Sequence, residues 1–303
     1  MHYVSEVKGE CGIVARVVAK SFNPLLNKTI TTFELEYPRY VHSEFMTHRQ
    51  FSRNAASSRA IPVANIISQV WNNPATPVHW GENMPGMQAK TSLKGFKLKL
   101  ATLAWHGAAK AAAAFAWAMN KVKLHKQVAN RVLEPFQIMK TVMTTTELEN
   151  FYWLREHPDA DPTIRELAKC MSEADQLAYG LTLESGEWHT PYYGNGVWDK
   201  TCKESLQDAL AISSSCCAQV SFRKLDDGLD KARNIYKRLV ESEPVHASPF
   251  EHAATPINPD AASKPPSKWP KGVTHKDRSG RLWSGNLCGY IQYRQLIPNN
   301  VKN

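Results

Sequence analysis

Residues 29–37 form a β-rich run in which Ile30, Thr32, Phe33, Leu35 and Tyr37 read as a strand, and Pro38 stops it. Proline is at home in the first turn of a helix, and Val41 and Phe45 then recur at helical spacing up to His48. The strand-to-helix junction feeds the chain into Thr47-His48-Arg49-Gln50-Phe51-Ser52-Arg53-Asn54-Ala55-Ala56-Ser57-Ser58-Arg59, which carries three arginines and no carboxylate. Arginine presents a planar fork of donors that meets two phosphate oxygens at once, so the segment reads as a phosphate grip. It begins on the last turn of the helix and is expected to continue as a loop. Its internal spacing, H-R-x-x-S-x-N-x-x-S-x-R, is more than a merely basic loop requires.

The chain is long enough, at 303 residues with 43% hydrophobic content, to bury a sizeable core. Its 37 basic residues against 28 acidic ones give +9, a balance suited to nucleotides, nucleic acid or an anionic surface. No apolar run follows a basic start, so no signal peptide is expected. No apolar stretch reaches the roughly 20 residues that span a bilayer. The most apolar window, 108–119, is interrupted by Lys110 and reads as a buried helix. A cytoplasmic protein without membrane contact is therefore expected. The six cysteines show no C-x-x-C pair and read as free thiols, Cys216 and Cys217 as small buried residues. No metal site is expected, since H-E-x-x-H and finger spacings are absent. There is no Walker loop, and Gly194-Asn195-Gly196 reads as a turn.

Along the chain, further helices are expected over 62–70, 98–121, 125–134, 162–181, 205–212 and 229–240. The helix over 98–121 is alanine-rich and expected to pack closely because its side chains are small. Residues 136–144 read as a strand. Thr146 and Glu149 resemble a capping box that opens a helix through Asn150 to Arg155. Residues 259–280, rich in Pro, Lys and Ser, read as an exposed insertion, beyond which 287–296 returns to the fold. Helices and strands mix without a βαβ repeat, which makes the expected class α+β in a single domain.

Three blocks resemble the flavin-dependent thymidylate synthases of the ThyX type. His48-Arg49-x-x-Ser52-x-Asn54-x-x-Ser57-x-Arg59 is similar to that family's R-H-R-x-x-S-x-N-x-x-S-x-R signature. Residues 146–165, with Asn150-Phe151 and Leu154-Arg155, resemble its N-F-x-x-L-R segment, and Arg131 stands in a stretch like its A-R-x-x-L-P turn. Ala218-Gln219-Val220-Ser221-Phe222 and Ser248-Pro249-Phe250-Glu251-His252 resemble its A-R-V-S-Y and S-P-F-E-H segments, which in the family precede the signature. Here they follow it, as a circular permutation or a partial duplication with decay would place them; permutation is cheap when chain ends lie close together at the surface. Residues 72–120 and 170–215 match no part of the family.

The resemblance implies a ThyX-like fold of mixed helices and antiparallel sheet in permuted order. It implies FAD-dependent reductive methylation of dUMP to dTMP, with methylenetetrahydrofolate and NADPH as co-substrates, in a homotetramer whose sites lie between subunits. By motif position, His48, Arg49, Asn54, Asn150 and His252 would contact FAD. Ser57, Arg59, Arg131 and Arg155 would hold dUMP, with Arg155, Ser57 and Arg59 serving catalysis. Thr47 stands where the family has its first arginine, Ala55 where a glutamate is common, Ala60 where an aromatic residue often follows, and Asp159 where histidine is frequent. Arg53 is the basic residue expected to replace the arginine lost at Thr47. These departures leave room for a related hydroxymethylation at uracil C5. The competing class is a basic nucleic-acid-binding protein, motivated by the net charge and the lysines around 90–126, among which Lys94, Lys97 and Lys99 read as a solvated helix face.

Overall fold

The computed structural model describes residues 3–221 and 225–301. Its frame is an antiparallel sheet made of β1 (Ser5–Lys8), β2 (Val14–Asn23), β3 (Lys28–Pro38), β4 (Ser52–Ala55) and β5 (Ile138–Thr145), in the order β1-β2-β3-β5-β4. The expected strand at 29–37 lies at the centre of the sheet, where both neighbours satisfy its backbone. Between β3 and β4 the chain makes one short helix, α1 (His42–Phe45), reached through the turn that Pro38 opens. Between β4 and β5 come α2 (Val63–Asn72), α3 (Gly95–Lys121) and α4 (Lys126–Ala129). After β5 follow α5 (Glu149–Arg155) and α6 (Pro162–Leu177).

Alternation along β3 sorts its side chains onto two faces. Phe33, Leu35 and Tyr37 join Ile13, Ala15, Val17, Met139 and Met143 under Ile164, Leu167, Ala168 and Met171 of α6. The start of α6 is secured by Asp161, whose carboxylate accepts from the amides of Thr163 at 2.8 Å and Ile164 at 3.2 Å, with Pro162 in the first turn. The expected continuation of this helix to 181 fails. The chain leaves the helix after Leu177, and Leu181 pairs instead with Ser21 of β2 in a parallel bridge, as part of β6 (Leu181–Thr182).

The other face of the sheet meets the later part of the chain. Short strands β7 (Trp188–His189) and β8 (Val197–Trp198) precede α7 (Leu206–Ala218) and α8 (Leu229–Glu241). Val18 and Val142 pack there with Ala209, Ile212, Cys216 and Cys217, the last two buried and unbridged. On this face Glu34 is buried on four donors: Tyr3 Oη at 2.9 Å, Tyr192 Oη at 3.1 Å, Lys140 Nζ at 2.9 Å and Arg16 Nη1 at 3.4 Å. A buried carboxylate is tolerable when its lone pairs are filled in this way. Strands β9 (Ala254–Pro256), β10 (His275–Lys276), β11 (Leu282–Ser284), β12 (Leu287–Cys288) and β13 (Tyr290–Gln292) complete two small sheets. The described residues thus form mixed helices with antiparallel sheets, the α+β class expected.

Four local readings are corrected. The segment over 125–134 is not one helix. After α4 it tightens into a 3-10 turn, Asn130–Phe136, because the Asn130 side chain donates to the carbonyls of Ser58 and Ile61 and Pro135 has no N–H to continue an α-helix. Thr146 does not cap α5; its hydroxyl accepts from the Cys288 amide at 2.9 Å, and Leu148 stands at the N-cap position with no side-chain hydrogen bond. The stretch 259–280 is not wholly exposed, since Ala261 is buried with Ile257 and Leu282, and His275 and Lys276 pair with β11. Helix α3 buries only Ala109, Ala113 and Ala116, against Ile66, Val70 and Leu133. No helix among the described residues is long and apolar enough to cross a membrane.

Candidate functional site

The signature segment departs from a loop at its middle, where Ser52, Arg53, Asn54 and Ala55 pair with β5 as an edge strand. Before that strand, the turn after α1 and the helix α5 enclose an open cleft of about 410 Å³. Thr47, His48, Arg49, Gln50 and Phe51 line one side, and Glu147, Asn150, Phe151, Leu154 and Arg155 the other. Two blocks that lie a hundred residues apart in sequence therefore share one cavity.

Arg155 organises this wall. Its Nε donates to His48 Nε2 at 2.9 Å, Nη2 donates to the Thr47 hydroxyl at 3.3 Å, and Nη1 pairs with Glu44. Accepting at Nε2 requires His48 to carry its proton on Nδ1. The imidazole stacks on Phe51 with centroids 5.6 Å apart and meets Phe151 edge-on at 4.8 Å. Burial, with Arg155 and Arg53 nearby, lowers its pKa to about 4, so the ring is neutral at pH 7. Arg49 and Asn150 are exposed at the rim. Arg49 makes no ion pair among the described residues, which leaves a guanidinium open to an anion.

Arg53 does not stand in for the arginine missing at Thr47. It is half-buried, and its Nη1 donates to the carbonyls of Phe45 at 3.2 Å and His48 at 3.0 Å, filling acceptors that the end of α1 leaves open. Arg155 is the residue whose guanidinium reaches Thr47. Asn54 likewise faces away from the cleft, donating to the Cys217 carbonyl at 3.2 Å. His252 is fully buried; its Nδ1 shares a 2.8 Å hydrogen bond with Thr144, and its Nε2 has no partner among the described residues. It reaches the sheet and does not line the cleft.

Ser57, Arg59 and Arg131 form a second group, beyond the other end of β4. The Ser57 hydroxyl accepts from the Arg59 amide at 3.3 Å, and the Arg59 side chain is exposed. Arg131 pairs with Glu134 at 3.1 Å, a carboxylate that also holds Arg39 and the Ser58 hydroxyl. None of these three residues lines the cleft around Arg155.

The C-terminal part of the chain does reach the signature. Gln292 donates to the Ser52 hydroxyl at 3.2 Å, to Asn286 at 2.8 Å and to the Glu251 carbonyl at 3.3 Å, and Asn286 donates to the Gln50 carbonyl. Ser248–Glu251 is a 3-10 turn whose Phe250 is buried. Of the A-Q-V-S-F block, Phe222 lies outside the described residues. Glu147 and Phe151 are wall residues that the sequence reading did not assign to the site, and Glu44, which does not line the cleft, pairs with Arg155. Phe151 was within reach of the sequence, since it follows Asn150 in the N-F pair of the second block.

Replacing Arg155 by alanine removes both the donor to His48 and a neighbouring positive charge. The pKa of His48 is expected to rise from about 4 toward the ordinary 6.5, visible in a two-dimensional NMR titration of the imidazole. An unchanged titration would show that burial alone sets it.

No protein-family model and no curated protein matches this sequence. The resemblance of the three blocks therefore rests on the motif residues themselves.

Proposed function

We propose that the protein is a flavin-dependent thymidylate synthase, acting on dUMP with methylenetetrahydrofolate and NADPH and using FAD. The observation that carries this reading is the cleft in which His48 and Arg49 of the signature face Asn150 and Arg155 of the second block. The donors present suit a flavin nucleotide. Arg49 offers a guanidinium for a bisphosphate, Asn150 offers an amide, and Phe51 and Phe151 supply aromatic wall. When bound, reduced flavin would supply the hydride chemistry that no protein side chain provides.

The chain's own residues then position and neutralise. Arg155 fixes the neutral His48 ring and contributes positive charge at the cleft, where negative charge developing on a uracil would be stabilised. Ser57, Arg59 and Arg131 form the phosphate-binding half. Their separation from the cleft in one chain is what a homotetramer with sites between subunits requires, one subunit completing its neighbour's site. A cytoplasmic enzyme in permuted ThyX-like order is part of the same reading.

The test is direct. Purified protein is expected to be yellow or to take up added FAD, and to oxidise NADPH only when dUMP and methylenetetrahydrofolate are both present, with dTMP identified by mass. Hydroxymethyl-dUMP as product would move the assignment to C5 hydroxymethylation, a reading that Thr47 in place of arginine leaves room for. A colourless protein that binds no FAD but retards nucleic acid would overturn both. Within this reading, Arg59→Ala is expected to weaken dUMP binding about 10–100-fold, the loss of a charged hydrogen bond, and to leave FAD affinity within about twofold. Calorimetric titration of each ligand checks it, and equal losses would count against the roles assigned.

A further inference from the structure

The stretch over 259–280, which the proposed catalytic site does not use, helps to build a pocket of its own. Three parts of the chain converge there: the turn between β2 and β3, the 3-10 turn Pro259–Ser263 with Ile257 before it, and the hairpins that join β10, β11 and β12. The wall is formed by Leu26, Ile257, Pro259, Ala262, Leu282 and Cys288 around a volume of about 150 Å³. Burial raises the pKa of the Cys288 thiol to about 11, so it stays protonated and this wall carries no charge. Gly289 lines one side with a left-handed backbone at φ +74°, and a Cβ there would come within 3.3 Å of Leu26 and 3.5 Å of Lys28. Any other residue at this position would crowd both of them.

The mouth is polar but balanced. Its exposed residues are Ser279, Gly280 and Arg281, and Lys28 is the second cation of the lining. Lys28 pairs with Glu147 at 2.6 Å, while Arg281 approaches the same carboxylate at 3.8 Å and pairs with Asp277 at 2.8 Å. Two cations thus meet two carboxylates, and an arriving anion would find both already neutralised. We infer that this pocket binds a small uncharged aromatic molecule, one six-membered ring bearing a single hydroxyl-like group. Roughly 150 Å³ is the volume at which an apolar cavity takes up benzene, so one ring fits and a fused pair does not. The aliphatic wall gives the ring its dispersion contacts, and the Ser279 hydroxyl stands at the mouth as a partner for the polar group. A carboxylate or an ammonium would have to pull Lys28 or Glu147 away from its partner. None of the residues around this pocket lines the cleft at Arg155, so the inference holds whether or not the protein binds flavin.

Phenol is the probe that tests it. Titrated into full-length protein with carbon-13-labelled leucine and isoleucine methyls, phenol is expected to move the methyl signals of Leu26, Ile257 and Leu282 through its ring current. The shifts should saturate with a dissociation constant of about 1 mM or below. Benzoate and benzylammonium are expected to bind at least about 10-fold more weakly, since their charge finds no free partner. Naphthol should lose at least about 10-fold as well, because its second ring overfills the space. Ala262→Leu places a larger side chain in the wall and is expected to weaken phenol at least about 20-fold, with the urea midpoint close to that of the unaltered protein. Should that variant fail to fold, the comparison of the four probes on the unaltered protein decides alone. Three results would overturn the proposal: these three residues' methyls unmoved by about 10 mM phenol, benzoate binding as tightly as phenol, or a folded Ala262→Leu protein with full affinity.

Discussion

Lowering the pH from 7 to 4 is expected to cost this fold several kcal/mol of stability, mostly through two histidines that never see water. His189 and His252 are completely buried, and burial lowers the pKa of each to about 3. They sit on one hydrogen-bonded chain. Ser21 and Thr32 meet the two nitrogens of His189 at 2.8 Å each, Thr32 meets Thr144 at 2.7 Å, and Thr144 meets His252 at 2.8 Å. The chain crosses β2, β3 and β5, so it ties the central strands to the segments on their outer side. Both rings are neutral in the folded state, while the same histidines in the unfolded chain take up protons near pH 6.5. Stability is therefore fully present above pH 6.5 and is lost as pH falls toward 3, by about 1.4 kcal/mol per pH unit for each ring. His42 and His48, each lowered to about 4 but partly exposed, add to the trend without entering that figure. Urea midpoints at pH 7, 6, 5 and 4 measure it. A midpoint that held steady to pH 4 would mean the rings are not kept neutral.

Glu34→Ala is expected to destabilise the chain by about 3–5 kcal/mol, a large share of the stability of an ordinary domain. The carboxylate is the common acceptor for Tyr3, Tyr192, Lys140 and Arg16 on the helix-covered face of the central strand. Without it, the buried Tyr192 hydroxyl loses its partner and Lys140 is left without its 2.9 Å counter-ion. Arg16 is less affected, because it also pairs with Glu6 at 2.5 Å and Glu36 at 2.6 Å. Glu34→Gln keeps the shape and part of the bonding and should fall between the two. Denaturant unfolding of the three proteins at pH 7 decides the matter. A change below about 1 kcal/mol for the alanine variant would show that the cluster gains little over its desolvation cost.

Much of the frame was legible because it depends on local pattern. The strand read at 29–37 is β3 within one residue at each end, and the one read at 136–144 is β5 displaced slightly. Proline and the apolar spacing located α2 and the turn into α1. Motif position set His48, Arg49 and Asn150 together, and one cleft holds them, but it set Arg155 with Ser57, Arg59 and Arg131, none of which lines that cleft. What escaped depends on partners far away in sequence. Nothing in Ser52-Arg53-Asn54-Ala55 announces a strand; it becomes one because β5 offers an unpaired edge. Arg53 has the same side chain as Arg49, yet one fills carbonyls beneath the turn and the other meets solvent. His252 is set by Thr144, and the end of α6 by the bridge from Leu181 to Ser21. Helix α3 misled in another way, since its apolar composition reads as buried while the fold covers only the face of Ala109, Ala113 and Ala116.

The hydrogen bonds from Gln292 and Asn286 to the signature segment also have a meaning in time. Ser52 bonds to residues 234 and 240 positions further along the chain. Such contacts repay their loop-closure entropy only late in folding. During synthesis the sheet can begin to form once β5 has emerged, but Ser52 and the Gln50 carbonyl must wait for the segment around Gln292 before their partners exist. The cleft at His48 is thus built early in the chain and finished late, and a nascent protein would hold its frame before it could hold a ligand.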